Sequence, residues 1–292
     1  IWTATVLMNG MIMTIFLWHL TAFVLVMTVC WMALGGFGLD TIPGSTAGWG
    51  GYRLTSSGTT VVKYDGYAVF DNTLDSTSDA NKSLILHELG HALGLKHPFG
   101  TAPTLPAETE NNKYTVMSYD ANPDNGMDSD AMMLYDVFAL QDTWGAADYN
   151  EGNTDYTGPR TDTVDTVWDT GGKDLFRASG PDAVTLDLRE GEFSQFGSYE
   201  DVVIAYGTRI ENATGGGGGD TITGNGLANR LLGRGGEDTI KGGGGTDTIK
   251  GGGGRDTLRG QQGNDTLVGG GARDKLFGDN KKDTLKGGGG ND

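Results

Sequence analysis

Three of the four histidines of this 292-residue chain fall within LHELGHALGLKH, residues 86 to 97. Their spacing prescribes a chemistry. On a helix, His87 and His91 are one turn plus about 40° apart, so both imidazoles leave the same face at a separation that suits two corners of a tetrahedral metal site. Gly94 stands where the helix can end in a left-handed residue, and the chain can then swing His97 toward the same ion. Three neutral imidazoles with a vacant fourth position make a catalytic zinc site, since structural zinc is usually closed by four protein ligands, commonly thiolates. Cys30 is the only cysteine. Glu88 lies between the helical histidines in angle and can take a proton from water in the vacant position, whose pKa zinc lowers toward about 7. A bare HExxH also occurs on ordinary helix surfaces. The longer string His87-Glu88-x-x-His91-x-x-Gly94-x-x-His97 fixes five positions in eleven, each with a separate geometric task.

The elements that must hold these residues can be read around them. STSDANKSLILHELGHALG, residues 76 to 94, predicts a helix with Ser78 or Asp79 as N-cap and Ile85, Leu89 and Ala92 as a buried stripe. The runs TTVVKYD and GYAVFDN upstream predict strands separated by turns. GYAVF, residues 66 to 70, is the expected edge strand for pairing with an extended peptide. A second helix is expected at SDAMMLYDVFALQDTWG, residues 129 to 145, with Leu134, Val137, Phe138 and Leu140 as its apolar side.

The extended histidine string is the signature of the metzincin metalloproteases, and VMSY, residues 116 to 119, resembles their serralysin branch. The resemblance implies that Met117 lies in a turn forming the floor of the site. It also implies that Tyr119 ligates zinc in the resting enzyme and, once substrate displaces it, donates a hydrogen bond to the oxyanion.

From Gly215 onward the text repeats with a period of nine. Asp220, Asn229, Asp238, Asp247, Asp256, Asp265, Asp274 and Asp283 share one phase; Ile222, Leu231, Ile240, Ile249, Leu258, Leu267, Leu276 and Leu285 share another. The unit is that of the calcium-binding RTX repeat. Six Gly-rich residues would form a turn exposing carbonyls and the Asp carboxylate to Ca²⁺. The last three would form a short strand with Ile or Leu inward, repeats two apart stacking on the same side of the coil. Without calcium the Asp ladders repel and the glycines are costly to order. Asn229, Ala272 and Lys281 mark the weaker units. The stretch before the repeats also resembles the serralysin join between protease and roll, and Asp169-Thr170-Gly171-Gly172-Lys173-Asp174 resembles a further calcium turn. Read on its own, that loop is a hairpin.

A net charge of −17 argues against a nucleic-acid-binding basic surface. From residue 214 onward ten acidic residues face eleven basic ones, so the acidity belongs to the preceding part. Residues 11 to 34 carry no Asp, Glu, Lys or Arg, which predicts either a membrane-spanning helix or a buried segment. The start has no basic signal-peptide flank. Four segments are expected: an apolar stretch of uncertain role (1–39), a zinc protease domain (40–146), a β-rich connection (147–213) and an RTX roll (214–292). The fold class is an α+β metzincin-like catalytic domain followed by an all-β parallel β-roll. Against the family pattern, the short upstream segment predicts an N-terminally incomplete catalytic sheet, and GGGGND at the end a truncated roll. By resemblance the protein is a bacterial secreted zinc endopeptidase, with calcium as structural cofactor, protein or peptide substrates and type I export. The alternative from another class is a calcium-dependent binding or adhesion protein with an inactive zinc site.

Overall fold

The computed structural model describes residues 2–8, 11–17, 27–30, 48–57, 60–70 and 79–290. The chain divides into two compact units, Ile1–Ala147 and Asp148–Asp292.

The first unit contains strands β1 (Trp2–Met8), β2 (Met11–Leu17), β3 (Met27–Cys30), β4 (Gly48–Ser57) and β5 (Thr60–Phe70), followed by helices α1 (Asp79–Ala92) and α2 (Leu134–Trp144). The strands form one sheet in the order β3-β2-β1-β5-β4. β1 runs parallel to β5, and the other neighbours are antiparallel. Alternation along β5 puts Gly66, Ala68 and Phe70 on one buried face. Ala68 and Phe70 pack there with Ile85, Leu89 and Ala92 of α1, the stripe expected from the sequence. Ser78 lies outside the described residues, and α1 opens at Asp79.

Three expectations are corrected. Residues 11–34 do not form one helix, because 11–17 and 27–30 are sheet strands; among the described residues no helix is long and apolar enough to cross a membrane. An uncharged run satisfies a strand buried in a sheet as well as it satisfies a membrane span. GYAVF is not an edge: β5 pairs with β1 on one side and β4 on the other, and β4 is the free edge at that end. In α2, Phe138 is 52% exposed. Leu134 and Leu140 do face inward, together with Asp136 and Ala139, and Ala139 and Leu140 pack on Leu95, Val116 and Met117.

The second unit is a coil of short strands. Its strands are β6 (Asp155–Tyr156), β7 (Asp165–Val167), β8 (Leu175–Arg177), β9 (Thr185–Asp187), β10 (Phe193–Ser194), β11 (Val202–Ile204), β12 (Asn212–Thr214), β13 (Thr221–Thr223), β14 (Arg230–Gly235), β15 (Thr239–Gly244), β16 (Thr248–Gly253), β17 (Thr257–Gln262), β18 (Thr266–Gly271), β19 (Lys275–Asn280) and β20 (Thr284–Gly289). One sheet has the order β20-β18-β16-β14-β12-β8-β6 and the facing one β19-β17-β15-β13-β9. The strands pair in parallel except for β10, which pairs antiparallel with β11 in a small sheet β10-β11-β7. Ile222 pairs with Ile240 and Leu231 with Ile249, so sheet neighbours are eighteen residues apart and two nonapeptides make one coil. Strands from β14 onward are six residues rather than three, because the register continues past the Ile or Leu into the next repeat, as in Gly243↔Gln261. Strands β6, β8, β9 and β12, from the stretch read as a connection, lie in the same two sheets.

The inward column from Ile222 to Leu267 is fully buried, Leu276 is half-buried and Leu285 is 47% exposed. Each buried Ile or Leu contributes about 1.5–3 kcal/mol of transfer free energy. Replacing Ile249 by Ala therefore costs about 2–5 kcal/mol in urea unfolding of this unit, the cavity term included. The same change at Leu285 costs less than about 1 kcal/mol, since its side chain is already half in water.

Candidate metal centre

The end of α1 makes the site. Gly94 has φ 101°, which a residue with a Cβ adopts only under strain. Its N–H donates to the His91 carbonyl at 3.1 Å and the Leu95 N–H to the Gly90 carbonyl at 2.9 Å, the paired bonds of a Schellman motif. That turn returns the Leu95 carbonyl to His91, whose Nδ1 donates to it at 2.9 Å. His87 Nδ1 donates to the Val116 carbonyl at 2.9 Å. Both helical rings thus carry their proton on Nδ1, and their Nε2 lone pairs face inward. His87 Nε2 lies 3.1 Å, and His91 Nε2 3.0 Å, from His97 Nε2. Tyr119 OH is 2.9 Å from the same His97 nitrogen.

The loop carrying Val116, Met117 and Tyr119 is fixed from α2, by a residue the sequence reading did not single out. Asp136 is 2% exposed. It accepts from Thr115 Oγ1 at 2.6 Å, Val116 N at 2.8 Å and Met133 N at 2.9 Å. Thr115 Oγ1 in turn accepts from Met117 N at 3.0 Å. Asn112 adds a second brace, its Nδ2 donating to the Ser118 and Asp120 carbonyls at 3.0 Å. Met117 is buried, with Sδ so close to Gly90 that a Cβ there would lie 2.4 Å from it. The Gly of HELGH therefore admits the methionine against the helix. Phe99, also not anticipated, stacks on His97 at 4.9 Å with 6° between planes.

Burial pushes His87 down to about 4, aided by the neighbouring imidazoles, and lowers His97 for the same reasons. These two rings are thus neutral at neutral pH, as a metal requires. Tyr119 is 68% exposed, yet burial of its hydroxyl end and then the negative charge of Glu88 raise its pKa. Glu88 is 7% exposed. Converging lone pairs repel unless a cation lies among them, and tetrahedral zinc at about 2.0–2.1 Å from each nitrogen separates its donors by about 3.4 Å. The donor set fits zinc.

In the second unit Asp169 and Asp174 are buried. Asp169 accepts from Gly171 N at 3.1 Å and from Tyr156 OH at 2.6 Å; Asp174 Oδ1 accepts from Thr154 N at 2.8 Å. Along the repeats, Oδ1 of Asp238, Asp247, Asp256, Asp265, Asp274 and Asp283 accepts the main-chain N–H of the residue eighteen positions earlier, at 2.8–3.0 Å. Among the described residues no protein donor reaches the buried Oδ2 of Asp174, Asp238, Asp247, Asp256 or Asp265. Rows of carboxylate oxygens so placed suit a hard cation. Asp220 differs, with both oxygens taken by the N–H groups of Val184 and Gly216.

Burial raises Asp136 to about 6 despite its three donors. A carboxyl raised on folding stabilises the fold most below its ordinary value of about 4, and that contribution is lost as pH rises to about 6. Replacing Asp136 by Asn flattens the pH dependence of unfolding between pH 4 and 6. Replacing it by Ala strands two main-chain N–H groups and costs about 1–3 kcal/mol for each, measured by urea unfolding.

The family model described as Peptidase M10 serralysin C terminal matches residues 146–287. The chain is 37% identical over 193 residues to a serralysin of Photorhabdus luminescens, covering 56% of this chain and 40% of that protein. It is 34% identical over 198 residues to a serralysin of Proteus mirabilis, 58% of this chain and 40% of the relative. With the metalloprotease AprA of Pseudomonas entomophila it shares 36% identity over 224 residues, 65% of this chain and 44% of the relative. The chain spans less than half the length of these relatives. Their identity, the family match and the parallel coil of the second unit fit a serralysin-type protein with a C-terminal β-roll.

Proposed function

We propose that the protein is a secreted zinc endopeptidase that hydrolyses peptide bonds of protein substrates and carries a calcium-folded roll. The observation that carries this reading is the convergence of three imidazole Nε2 atoms, two of them held by main-chain carbonyls at Nδ1. Zinc held by His87, His91 and His97 would supply a Lewis acid that acidifies water and polarises a scissile carbonyl. Glu88, buried between the two helical ligands, takes the proton of the attacking water and delivers it to the leaving amine. Tyr119, whose hydroxyl lies 2.9 Å from His97 Nε2, would serve as a further ligand and, once displaced by substrate, would donate to the oxyanion. An extended peptide would add to the free edge of β4 rather than to residues 66–70. That curated relatives are serralysins and a metalloprotease supports hydrolysis over calcium-dependent adhesion with an idle zinc site. Export by a type I system follows from the same likeness.

Glu88→Gln separates chemistry from binding. Zinc content should be unchanged and casein cleavage should fall about 10²–10⁴-fold, the usual contribution of a general base; cleavage at the wild-type rate would remove Glu88 from that role.

In the roll, Asp238, Asp247, Asp256 and Asp265 would bind calcium through Oδ2, with Asp274 continuing the column of Asp238 and Asp256 and Asp283 that of Asp247 and Asp265, and Asp169 and Asp174 would form a further site. Desolvation first raises Asp238 to about 7 and Asp247 to about 6 in the metal-free protein. With folded values above the unfolded ones, the calcium-free roll loses stability as pH rises from about 4 to about 7. Calcium competes with those protons. In a chelator the unfolding midpoint should fall across this window, and the calcium concentration needed to fold the roll should rise below pH 7, both read by circular dichroism.

A further inference from the structure

The repeat turns are of two kinds. In those ending at Asp238, Asp247, Asp256 and Asp265, the second residue of the repeat is left-handed: Arg234 at φ 82°, Gly243 at 101°, Gly252 at 126° and Gln261 at 73°. Their Oδ2 atoms have no protein donor among the described residues. In the turns ending at Asp220 and Asn229 the second residue is not left-handed, and its N–H closes the turn instead. Gly216 N donates to Asp220 Oδ2 at 2.7 Å and Asn225 N to Asn229 Oδ1 at 2.9 Å.

The turn at 224–229 goes further. Asn229, 3% exposed, donates through Nδ2 to the Glu211 carbonyl at 3.0 Å and to Asn225 Oδ1 at 3.1 Å. Asn225 Nδ2 donates to the carbonyls of Leu188 at 3.0 Å and Ile210 at 2.8 Å. Its Oδ1 also accepts from Leu227 N at 2.9 Å. All four amide hydrogens are thus spent on oxygens, and three of these are main-chain carbonyls of preceding loops. A partly positive NH₂ group gathers carbonyls as a cation would, without needing one.

We propose that turn 224–229 is a metal-free clamp in which the Asn225 and Asn229 amides replace an ion. With the Asp220 turn, it makes residues 215–229 a seed, needing no ion of its own, for the repeats from Gly233 onward. The seed has its own core around Phe176, Leu186, Ile222 and Leu231, with the Phe176 ring against Tyr156 and Phe196. It also presents the Asp220 and Asn229 main-chain N–H groups that receive Asp238 and Asp247, so the next turns dock on donors already in place. The inference rests on the reading that the later turns take calcium.

Hydrogen exchange on the whole chain, in chelator and in calcium, tests it. In chelator, peptides within 212–232 should exchange at least about 10-fold more slowly than those within 239–289, which gain protection only with calcium. Asn229→Asp removes both donated hydrogens and should abolish the protection of 212–232 in chelator, with calcium restoring it. Should that variant stay unprotected in calcium too, Asn225→Ala decides, with the same loss in chelator expected. Equal exchange of the two segments in chelator, or either variant keeping wild-type protection there, overturns the proposal. If calcium leaves 239–289 unchanged, the calcium reading fails, while the comparison of wild type with the variants in chelator still decides the clamp.

Discussion

Everything at the candidate centre depends on holding three imidazole lone pairs against one another. Lone pairs so arranged repel unless a cation lies among them, and the two helical rings are locked from behind. Two main-chain carbonyls do this: Leu95 behind His91 and Val116 behind His87. Each belongs to a segment with its own anchor. The Leu95 carbonyl is aimed by the turn that ends α1, and the Val116 carbonyl by the loop that Asp136 holds through Thr115 and Val116. Removing either anchor releases a ring without touching a ligand, as outer-shell partners of metal sites generally do.

The second unit meets a related difficulty with carboxylates. An Asp column repeated every eighteen residues brings like charges together in a partly buried row, and desolvation raises the pKa values of Asp238 and Asp247. One oxygen of each is satisfied by the preceding coil's main chain, which fixes the side chain and leaves the other oxygen facing the turn. The order is thus built from main-chain hydrogen bonds and an Ile or Leu column, while the charge is left for a cation or proton to settle.

Much of this was legible because it is local or periodic. His87, His91 and Gly94 lie within one helix and its end, and the nine-residue phase sets the inward column by counting. Asp136 was not legible: its partners Thr115 and Val116 are about twenty residues away, and a carboxylate in an amphipathic helix reads as its solvent side. The position of β5 depends on β1, some sixty residues upstream, just before the uncharged run 11–34 that reads as a membrane helix or a buried segment. The clamp at Asn229 was visible only as a weak repeat, since the identity of a side-chain amide does not reveal which carbonyls it will reach.

The alternation of successive nonapeptides between two sheets constrains how the gene segment can lengthen or shorten. Outward residues lie in columns, Lys241, Arg259 and Phe277 on one sheet and Lys250, Val268 and Lys286 on the other. Slippage by a single unit between Arg259 and Phe277 would preserve the inward Ile or Leu yet transpose every later outward residue to the opposite sheet, parting Arg259 from the Phe277 ring it covers at 5.1 Å. Slippage by two units leaves each column intact. Surface patterns on this roll can therefore be inherited across length changes only in steps of a full coil.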